Sequence, residues 1–158
     1  KKNIQKQWKN LKKLYYTYEF FKKDVEILVD KCRLYDTNVL LAVARGGLTL
    51  SHFMAQALHI RALYTLNSIH YDGEKKLNTF NIFNIPDLSS FKRVLIVDAI
   101  IDSGETINEV LGILRDKFPD VEFKVASLFY KSTAIIQPDF TVNEATDWID
   151  FFWEIDVK

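Results

Sequence analysis

The most informative segment of this sequence is Val94-Leu-Ile-Val-Asp98-Ala-Ile-Ile-Asp102-Ser-Gly-Glu-Thr106. Its first four residues are apolar and bounded by charge, which is typical of a buried parallel strand that ends at Asp98. The small residues after Asp102 indicate a turn, and from Ile107 onward apolar residues recur at helical spacing. The segment therefore predicts a strand, a short turn and the start of a helix.

Two carboxylates and several small polar residues at this turn suggest a site for a sugar phosphate. Backbone N–H groups at a helix N-terminus are unpaired, and the helix dipole favours an anion there. The carboxyl end of a parallel strand is also where open α/β sheets bind ligands. An alternative interpretation needs no ligand, because Asp102 and Glu105 also have the spacing of a helix capping box.

Length and composition indicate a single globular enzyme-sized domain. The chain has 158 residues, of which 48% are hydrophobic and 27% charged, and its formal net charge is zero. These values exclude a disordered chain and do not favour a nucleic-acid-binding protein. The one cysteine, Cys32, excludes an internal disulfide framework and indicates a reducing compartment, so we expect a cytoplasmic protein. We expect neither a signal peptide nor a transmembrane segment, because no apolar run approaches about 18 residues.

Residues 1–16 differ from the rest of the chain, because they carry six lysines and no acid. We predict a basic leader that is either disordered or helical. In a helix, Ile4, Trp8, Leu11 and Tyr15 would share one face, so an alternative is an amphipathic helix on an anionic membrane surface or a partner. Residues 17–158 are predicted to form a single folded domain.

Predicted helices and strands alternate through this domain. The patterns predict helices over residues 18–33, 48–59 and 106–117, the first of them capped by Thr17, and strands over 39–44, 62–67, 93–97 and 121–130. Residues 70–78 are polar and contain a glycine, which predicts a mobile loop. Alternation of this kind implies an α/β fold with a parallel sheet flanked by helices.

The segment at residues 94–106 resembles the phosphoribosyl diphosphate (PRPP) binding motif of type I phosphoribosyltransferases. It departs from that motif at Ala99, where the family usually has a second acid. The resemblance implies the type I fold, a parallel twisted sheet flanked by helices with a flexible hood loop. It also implies that PRPP is bound by Asp98, Ala99, Asp102, Ser103, Gly104, Glu105 and Thr106.

A second segment, Arg45-Gly46-Gly47 after a predicted strand, resembles the pyrophosphate loop of 6-oxopurine phosphoribosyltransferases. The resemblance implies that these three residues bind the leaving diphosphate. Glycines allow the backbone to approach an anion, and arginine supplies a forked donor. The alternative is an ordinary strand-to-helix turn with Arg45 on the surface.

Two further segments resemble the purine site of the same enzymes. Lys131 follows a predicted strand, where the family has a lysine that donates to the 6-oxo oxygen; an ammonium cannot accept from a 6-amino group. The segment Thr146-Asp147-Trp148-Ile149-Asp150 resembles the Thr-Trp-Ile-Glu of bacterial xanthine-guanine phosphoribosyltransferases. The resemblance implies that Trp148 stacks on the purine and that the backbone of Ile149 contacts its 2-substituent. The alternatives are a lysine at a strand end and a terminal strand of core aromatic residues.

Ser68, His70 and Tyr71 fall where the family has its hood loop. The resemblance implies that Tyr71 shields the reacting centre from water, which would otherwise hydrolyse a ribosyl cation. We expect His70 to touch the substrate transiently or not at all.

Together these resemblances imply a pentosyltransferase of purine salvage. It would transfer the phosphoribosyl group from PRPP to hypoxanthine, guanine or xanthine, giving a nucleoside monophosphate and diphosphate. Asp102 would be the general base or partner at purine N7. Mg²⁺ would be the cofactor, held mainly by substrate oxygens, with Asp98 reaching it through substrate or water. We expect a homo-oligomer with no nucleic-acid partner. Because Ala99 removes an acid and would impair activity, the alternative is a non-catalytic regulator or a PRPP- or nucleotide-binding module of the same fold.

Overall fold

The computed structural model describes residues 12–72 and 78–157. No helix in these ranges is long and apolar enough to cross a membrane. The elements in chain order are β1 (Lys13–Tyr16), α1 (Tyr18–Cys32), a 3₁₀ turn (Arg33–Tyr35), β2 (Val39–Ala44), α2 (Leu48–Ala57), β3 (Ala62–Asp72), β4 (Asn78–Phe83), β5 (Arg93–Ile101), α3 (Glu105–Lys117), β6 (Glu122–Tyr130), β7 (Phe140–Glu144) and β8 (Trp148–Phe151).

A six-stranded sheet with the order β4-β3-β2-β5-β6-β7 forms the centre of the fold. Neighbouring strands are parallel except for β3 and β4, which run antiparallel. The predicted α/β architecture, with a parallel sheet and helices on its faces, is therefore confirmed, with one antiparallel edge strand added to it.

The period-2 alternation of the central strands divides the core between the two faces of the sheet. Leu95 and Val97 of β5 pack in one buried cluster with residues of α1 and α2. Val94 and Ile96 of the same strand pack in a second cluster with residues of α3. The first helix has the predicted cap, because the Thr17 side chain accepts a hydrogen bond from the N–H of Phe20 at 3.3 Å.

The last residues of the predicted leader belong to the folded domain. Lys13–Tyr16 forms β1, which pairs in parallel with β8 in a second, two-stranded sheet. Tyr16 is 3% exposed and makes edge-on ring contacts with Phe129 and Phe151. The prediction of a disordered or helical leader is thus wrong for residues 13–16, because pairing with a distant strand overrides the local helical pattern. Ile4, Trp8 and Leu11 lie outside the described residues.

The predicted loop at residues 70–78 is also corrected in part. β3 continues to Asp72 and pairs with β4 in an antiparallel hairpin, with His70 opposite Phe80. The rings of these two residues stack at a centroid distance of 4.6 Å. The polar composition indicated a loop, but pairing with β4, which lies further along the chain, makes residues 70–72 part of a strand. Residues 73–77, in the middle of the predicted loop, lie outside the described residues.

Candidate active site

The predicted site segments meet at one edge of the sheet. Arg45 follows β2, Asp98 lies near the end of β5, and Lys131 follows β6. These strands are parallel and adjacent, so their carboxyl ends lie side by side. This is the edge at which open α/β sheets bind ligands.

An ion pair joins the two residues predicted to recognise the purine. Lys131 Nζ lies 2.6 Å from Asp102 Oδ1, and both side chains are partly exposed. The register of the sheet explains the contact. Ile101, the last residue of β5, pairs with Tyr130, the last residue of β6, so Asp102 and Lys131 follow side by side. The N–H of Lys131 also donates to the carbonyl of Ile101 at 2.9 Å, which fixes the turn after β6.

The turn before α3 does not form a capping box. Gly104 is the N-cap, with φ of 82° in the left-handed region, and it has no side chain that could cap the helix. Asp102 pairs with Lys131 instead, so the capping-box alternative is wrong. The N-terminus of α3 follows the carboxyl end of β5, and backbone N–H groups at such a position can bind an anion.

The segment after β6 supports this turn from behind. The N–H of Ile135 donates to the carbonyl of Ser103 at 2.9 Å, and the N–H of Glu105 donates to Ser103 Oγ at 3.3 Å. A Cβ atom on Gly104 would lie 3.0 Å from the backbone nitrogen of Ile136. Glycine is therefore required at position 104 both for its backbone conformation and for this close approach.

The Arg45-Gly46-Gly47 turn lies against the end of β5. A Cβ atom on Gly47 would stand 2.3 Å from the carbonyl oxygen of Val97, so no side chain fits there. The N–H of Gly47 donates to the carbonyl of Val43 at 2.9 Å. Gly47 thus allows α2 to begin directly on the sheet, while the Arg45 side chain is exposed at the edge. The Ala44–Arg45 peptide bond is cis.

Asp98 presents a half-buried carboxylate between these two turns. Its Oδ1 accepts a hydrogen bond from the N–H of Ala99 at 2.8 Å, and a Cβ on Gly46 would lie 3.1 Å from the same oxygen. Burial raises the pKa of the Asp98 carboxyl to about 7, against the smaller opposing effect of that hydrogen bond. Burial makes the ionised form of this side chain less stable than the protonated form. A bound cation or hydrogen-bond donor would stabilise the ionised form.

Ala99 does not share the exposure of Asp98. Its side chain is 3% exposed and belongs to the buried cluster that includes Leu128, Ile149 and Phe151. In this conformation position 99 contributes its backbone N–H to Asp98, and its methyl group faces the core. In this conformation the side chain of residue 99 therefore does not face the site and cannot contact ribose directly.

A pocket of about 160 Å³ opens beside the Lys131–Asp102 pair. Trp148 lines it and is 41% exposed, and Ile149 lines it while being 6% exposed. The backbone N–H of Trp148 donates to the carbonyl of Lys12, the residue before β1, at 3.0 Å, and β1 itself pairs with β8, so both contacts hold this wall of the pocket. The described residues that line this pocket are Ile100, Asp102, Lys131, Thr146, Asp147, Trp148, Ile149, Phe151 and Glu154.

A larger cavity of about 620 Å³ lies next to the Arg45 turn and shares one residue with the first pocket. Its lining includes Arg45, Gly46 and the chain from Trp153 to Asp156, and Glu154 lines both cavities. Burial, and then the charge of Asp150, raise the pKa of the Glu154 carboxyl. The sequence assigned no role to Asp147 or Glu154. Each is an acid next to a tryptophan, Trp148 and Trp153 respectively, and this was the signal that could have identified them.

The predicted hood residues lie beyond the parallel part of the sheet. The pairing of β2 with β3 ends at Ala44 and Asn67, so Ser68, His70 and Tyr71 extend past the carboxyl edge on the hairpin. The hairpin therefore projects on the same side as the site.

No cluster of three or more histidine, cysteine or acidic side chains suited to a metal occurs within residues 12–72 and 78–157. Any divalent ion bound by this part of the chain would need ligands from substrate or water, as Mg²⁺ commonly does.

Comparison with known proteins identifies the family. The phosphoribosyl transferase domain matches residues 12–158. The chain is a phosphoribosyltransferase. The Helicobacter pylori xanthine-guanine-hypoxanthine phosphoribosyltransferase structure is 40% identical, with a TM-score of 0.85, and the alignment covers 91% of this chain and 95% of that one.

Two further relatives of this phosphoribosyltransferase belong to the same family. A purine phosphoribosyltransferase structure from Pyrococcus horikoshii is 31% identical with a TM-score of 0.80, over 92% of this chain and 96% of that one. A xanthine-guanine phosphoribosyltransferase of Idiomarina loihiensis is 25% identical over 119 residues, which is 73% of this chain and 70% of the relative. The predicted family and fold class are confirmed, and the chain resembles the bacterial 6-oxopurine enzymes of that family.

Proposed function

We propose that this phosphoribosyltransferase acts in purine salvage, transferring the 5-phosphoribosyl group of PRPP to a 6-oxopurine and releasing diphosphate. The observation that carries the proposal is the Lys131–Asp102 pair at the mouth of a pocket lined by Trp148. A donor for an oxo group, an acceptor for a ring N–H and an aromatic face are the three groups that a 6-oxopurine requires. The names of the relatives support the same substrate class.

The residues divide the binding of the two substrates between them. The purine stacks on Trp148, its 6-oxo oxygen accepts from Lys131, and its ring N–H donates to Asp102. The 5′-phosphate lies at the N-terminus of α3, where the Ser103 and Thr106 hydroxyls add to the backbone N–H groups. Asp98 accepts from the ribose hydroxyls.

The turns on either side of Asp98 position the leaving group. Arg45 donates to the diphosphate in the larger cavity, beside the backbone at Gly46. During transfer a bond forms between a purine ring nitrogen and C1′ of the ribose, while the bond from C1′ to the diphosphate oxygen breaks. Asp102 accepts the proton that the imidazole ring of the purine loses. The pair with Lys131 holds the Asp102 carboxylate at this place before the base arrives.

The donor set fits Mg²⁺ as the cofactor of the reaction. The half-buried Asp98 carboxylate, whose pKa is raised by burial, would be stabilised by a neighbouring cation, which it would reach through water or through the ribose hydroxyls. Mg²⁺ would stabilise the negative charge that develops on the departing diphosphate.

The non-catalytic regulator is not favoured, because the acid, the lysine and the aromatic wall that the reaction needs are assembled in one pocket. The cytoplasm remains the expected location and a homo-oligomer the expected assembly. Tyr71 remains the residue expected to shield the reacting centre.

Release of diphosphate from PRPP and Mg²⁺ tests the proposal directly, with hypoxanthine, guanine, xanthine and adenine supplied separately. We expect release with at least one 6-oxopurine and none above background with adenine. Release with adenine as the best base would contradict the assignment of Lys131. Absence of release with all four bases would contradict the proposed activity.

A further inference from the structure

Among the described residues, the pocket of about 160 Å³ beside Lys131, here called the base pocket, is lined by more carboxylates than ammonium groups. Its charged lining groups are one ammonium, on Lys131, and three carboxylates, on Asp102, Asp147 and Glu154. The Lys131–Asp102 ion pair balances one carboxylate against the ammonium. The rest of the charged lining is negative, and it lies on the wall that contains Trp148 and the chain beyond β8.

Asp147 comes immediately before the aromatic wall of the pocket and is half-buried. The segment that resembles the bacterial Thr-Trp-Ile-Glu sequence has this aspartate between Thr146 and Trp148. Pairing of Trp148 with Lys13 fixes the start of β8, so the residue before it is held at the pocket by the same strand contact.

We propose that Asp147 is a base-contacting residue that accepts a hydrogen bond from the 2-amino group of guanine and makes the site prefer guanine to xanthine. The inference rests on the proposed function, because it takes the 6-oxo group to be bound by Lys131. A purine stacked on Trp148 with its oxo group at Lys131 turns its 2-substituent toward the remaining polar lining.

A carboxylate at this position would discriminate between guanine and xanthine, because the two bases differ at position 2. A carboxylate only accepts hydrogen bonds; the 2-amino group of guanine donates them, while the 2-oxo group of xanthine is another acceptor. Xanthine also loses a ring proton more readily than guanine or hypoxanthine, and a negatively charged pocket opposes an anionic base. Hypoxanthine has only hydrogen at position 2 and is expected to fall between the two.

The test compares kcat/KM for guanine and xanthine in the parent, in Asp147→Asn and in the control Asp150→Asn. Asp150 is also a half-buried acid of the β8 region but does not line the pocket. The parent should favour guanine by about tenfold or more, the size expected for a hydrogen bond to a charged group. An asparagine can also donate, so Asp147→Asn should reduce this ratio by about tenfold, mainly by improving xanthine use. Asp150→Asn should leave the ratio within about twofold of the parent, since it changes the same charge outside the pocket.

Calorimetric titration of GMP and XMP into the same three proteins gives a second readout that does not depend on turnover. Tighter binding of GMP by the parent, lost in Asp147→Asn and kept in Asp150→Asn, supports the proposal even if turnover is slow. A parent that prefers xanthine, or a ratio that Asp147→Asn changes no more than Asp150→Asn, overturns it. A xanthine preference that Asp147→Asn removes would place the carboxylate at the N3–H of xanthine and would also overturn it. These outcomes leave the proposed function standing, whereas a chain that neither converts nor binds any purine compound contradicts both.

Discussion

Lys131 Nζ lies 2.6 Å from Asp102 Oδ1 across the ends of two adjacent parallel strands. The two groups predicted to meet neighbouring atoms of the purine thus hold each other before any substrate binds. Such a pair keeps both side chains in place, but it also means that neither residue can be removed without releasing the other.

Removal of the lysine should therefore affect the choice of base and the position of the acid together. Lys131→Ala is expected to lower kcat/KM for 6-oxopurines by about a hundredfold or more, because a donor to the oxo group is lost and the acceptor is left without its partner. Steady-state kinetics with hypoxanthine and guanine measure this. The comparison variant Trp148→Ala removes stacking and should weaken every base by a similar factor.

The coupling of the pair is tested by the double variant. If Lys131 and Asp102 act as a unit, Lys131→Ala combined with Asp102→Asn should cost much less than the sum of the two single changes. Strict additivity of the activation free energies would show that the ion pair has no role in the reaction.

Introducing an acid at position 99 should have opposite effects on stability and on PRPP binding. The Ala99 side chain is buried among apolar residues, so Ala99→Asp places a carboxylate in the core and is expected to lower the melting temperature by several degrees at neutral pH. If the new carboxylate reaches the ribose, PRPP with Mg²⁺ should raise the melting temperature of the variant more than that of the parent.

Thermal denaturation with and without PRPP measures both effects, and Ala99→Asn is the control that adds a polar group of nearly the same size as aspartate without its charge. An unchanged melting temperature in Ala99→Asp would show that position 99 is open to solvent. A ligand-induced shift no larger than that of the parent would contradict a ribose contact at this residue.

The raised pKa of Asp98 predicts a pH-dependent cost to stability. With a pKa of about 7 in the folded protein, against an ordinary value near 3.8, the folded state holds a proton that the unfolded chain has lost between these two values. The contribution of Asp98 to the free energy of unfolding therefore falls as the pH rises from about 4 to about 7. Asp98→Asn should match the parent in stability near pH 4 and exceed it above pH 7.

Melting temperatures of the parent and Asp98→Asn across this pH range test the prediction. The same variant should lose PRPP binding, because an amide gives the ribose hydroxyls and any cation a weaker acceptor than a carboxylate. A constant difference in melting temperature from pH 4 to pH 8 would mean that Asp98 titrates normally.

The strand before α1 should contribute to stability through Tyr16. Its hydroxyl donates to Asp24, which also accepts from Asn143 at 2.7 Å, so one carboxylate joins β1, α1 and β7. Burial, with this hydrogen bond, raises the pKa of the Tyr16 phenol well above its usual range, so it remains a donor at any working pH. Tyr16→Phe should cost about 1.5–3 kcal/mol, measured by denaturant unfolding.

Tyr15→Phe is the matched control, because Tyr15 is 66% exposed and its loss of a hydroxyl should be close to neutral. Deletion of residues 1–16 is expected to destabilise the protein, because it removes β1 and its pairing with β8. Equal stability of Tyr16→Phe and Tyr15→Phe would remove the role given to the Asp24 contacts.

The sequence by itself determined the elements whose signals are local. The apolar runs of β2 and β5, the capped helix after Thr17 and the Gly104 turn are each specified by residues close in the chain, so their patterns predicted them. The segments around Arg45, Lys131 and Trp148 also followed from local residues, because their resemblance to a family is a property of short motifs.

Only the tertiary structure decided the contacts between distant segments. Asp102 could cap a helix or pair with a lysine by its sequence, and the register of β5 against β6 gave it Lys131. The basic pattern of residues 1–16 suggested a leader, yet pairing with β8 makes residues 13–16 a strand of the two-stranded sheet. The burial of Ala99 depends on which face of β5 meets the core, and the position of Asp147 at the base pocket depends on the pairing of β8 with β1. Chain-distant packing fixes that relationship, and no local sequence signal encodes it.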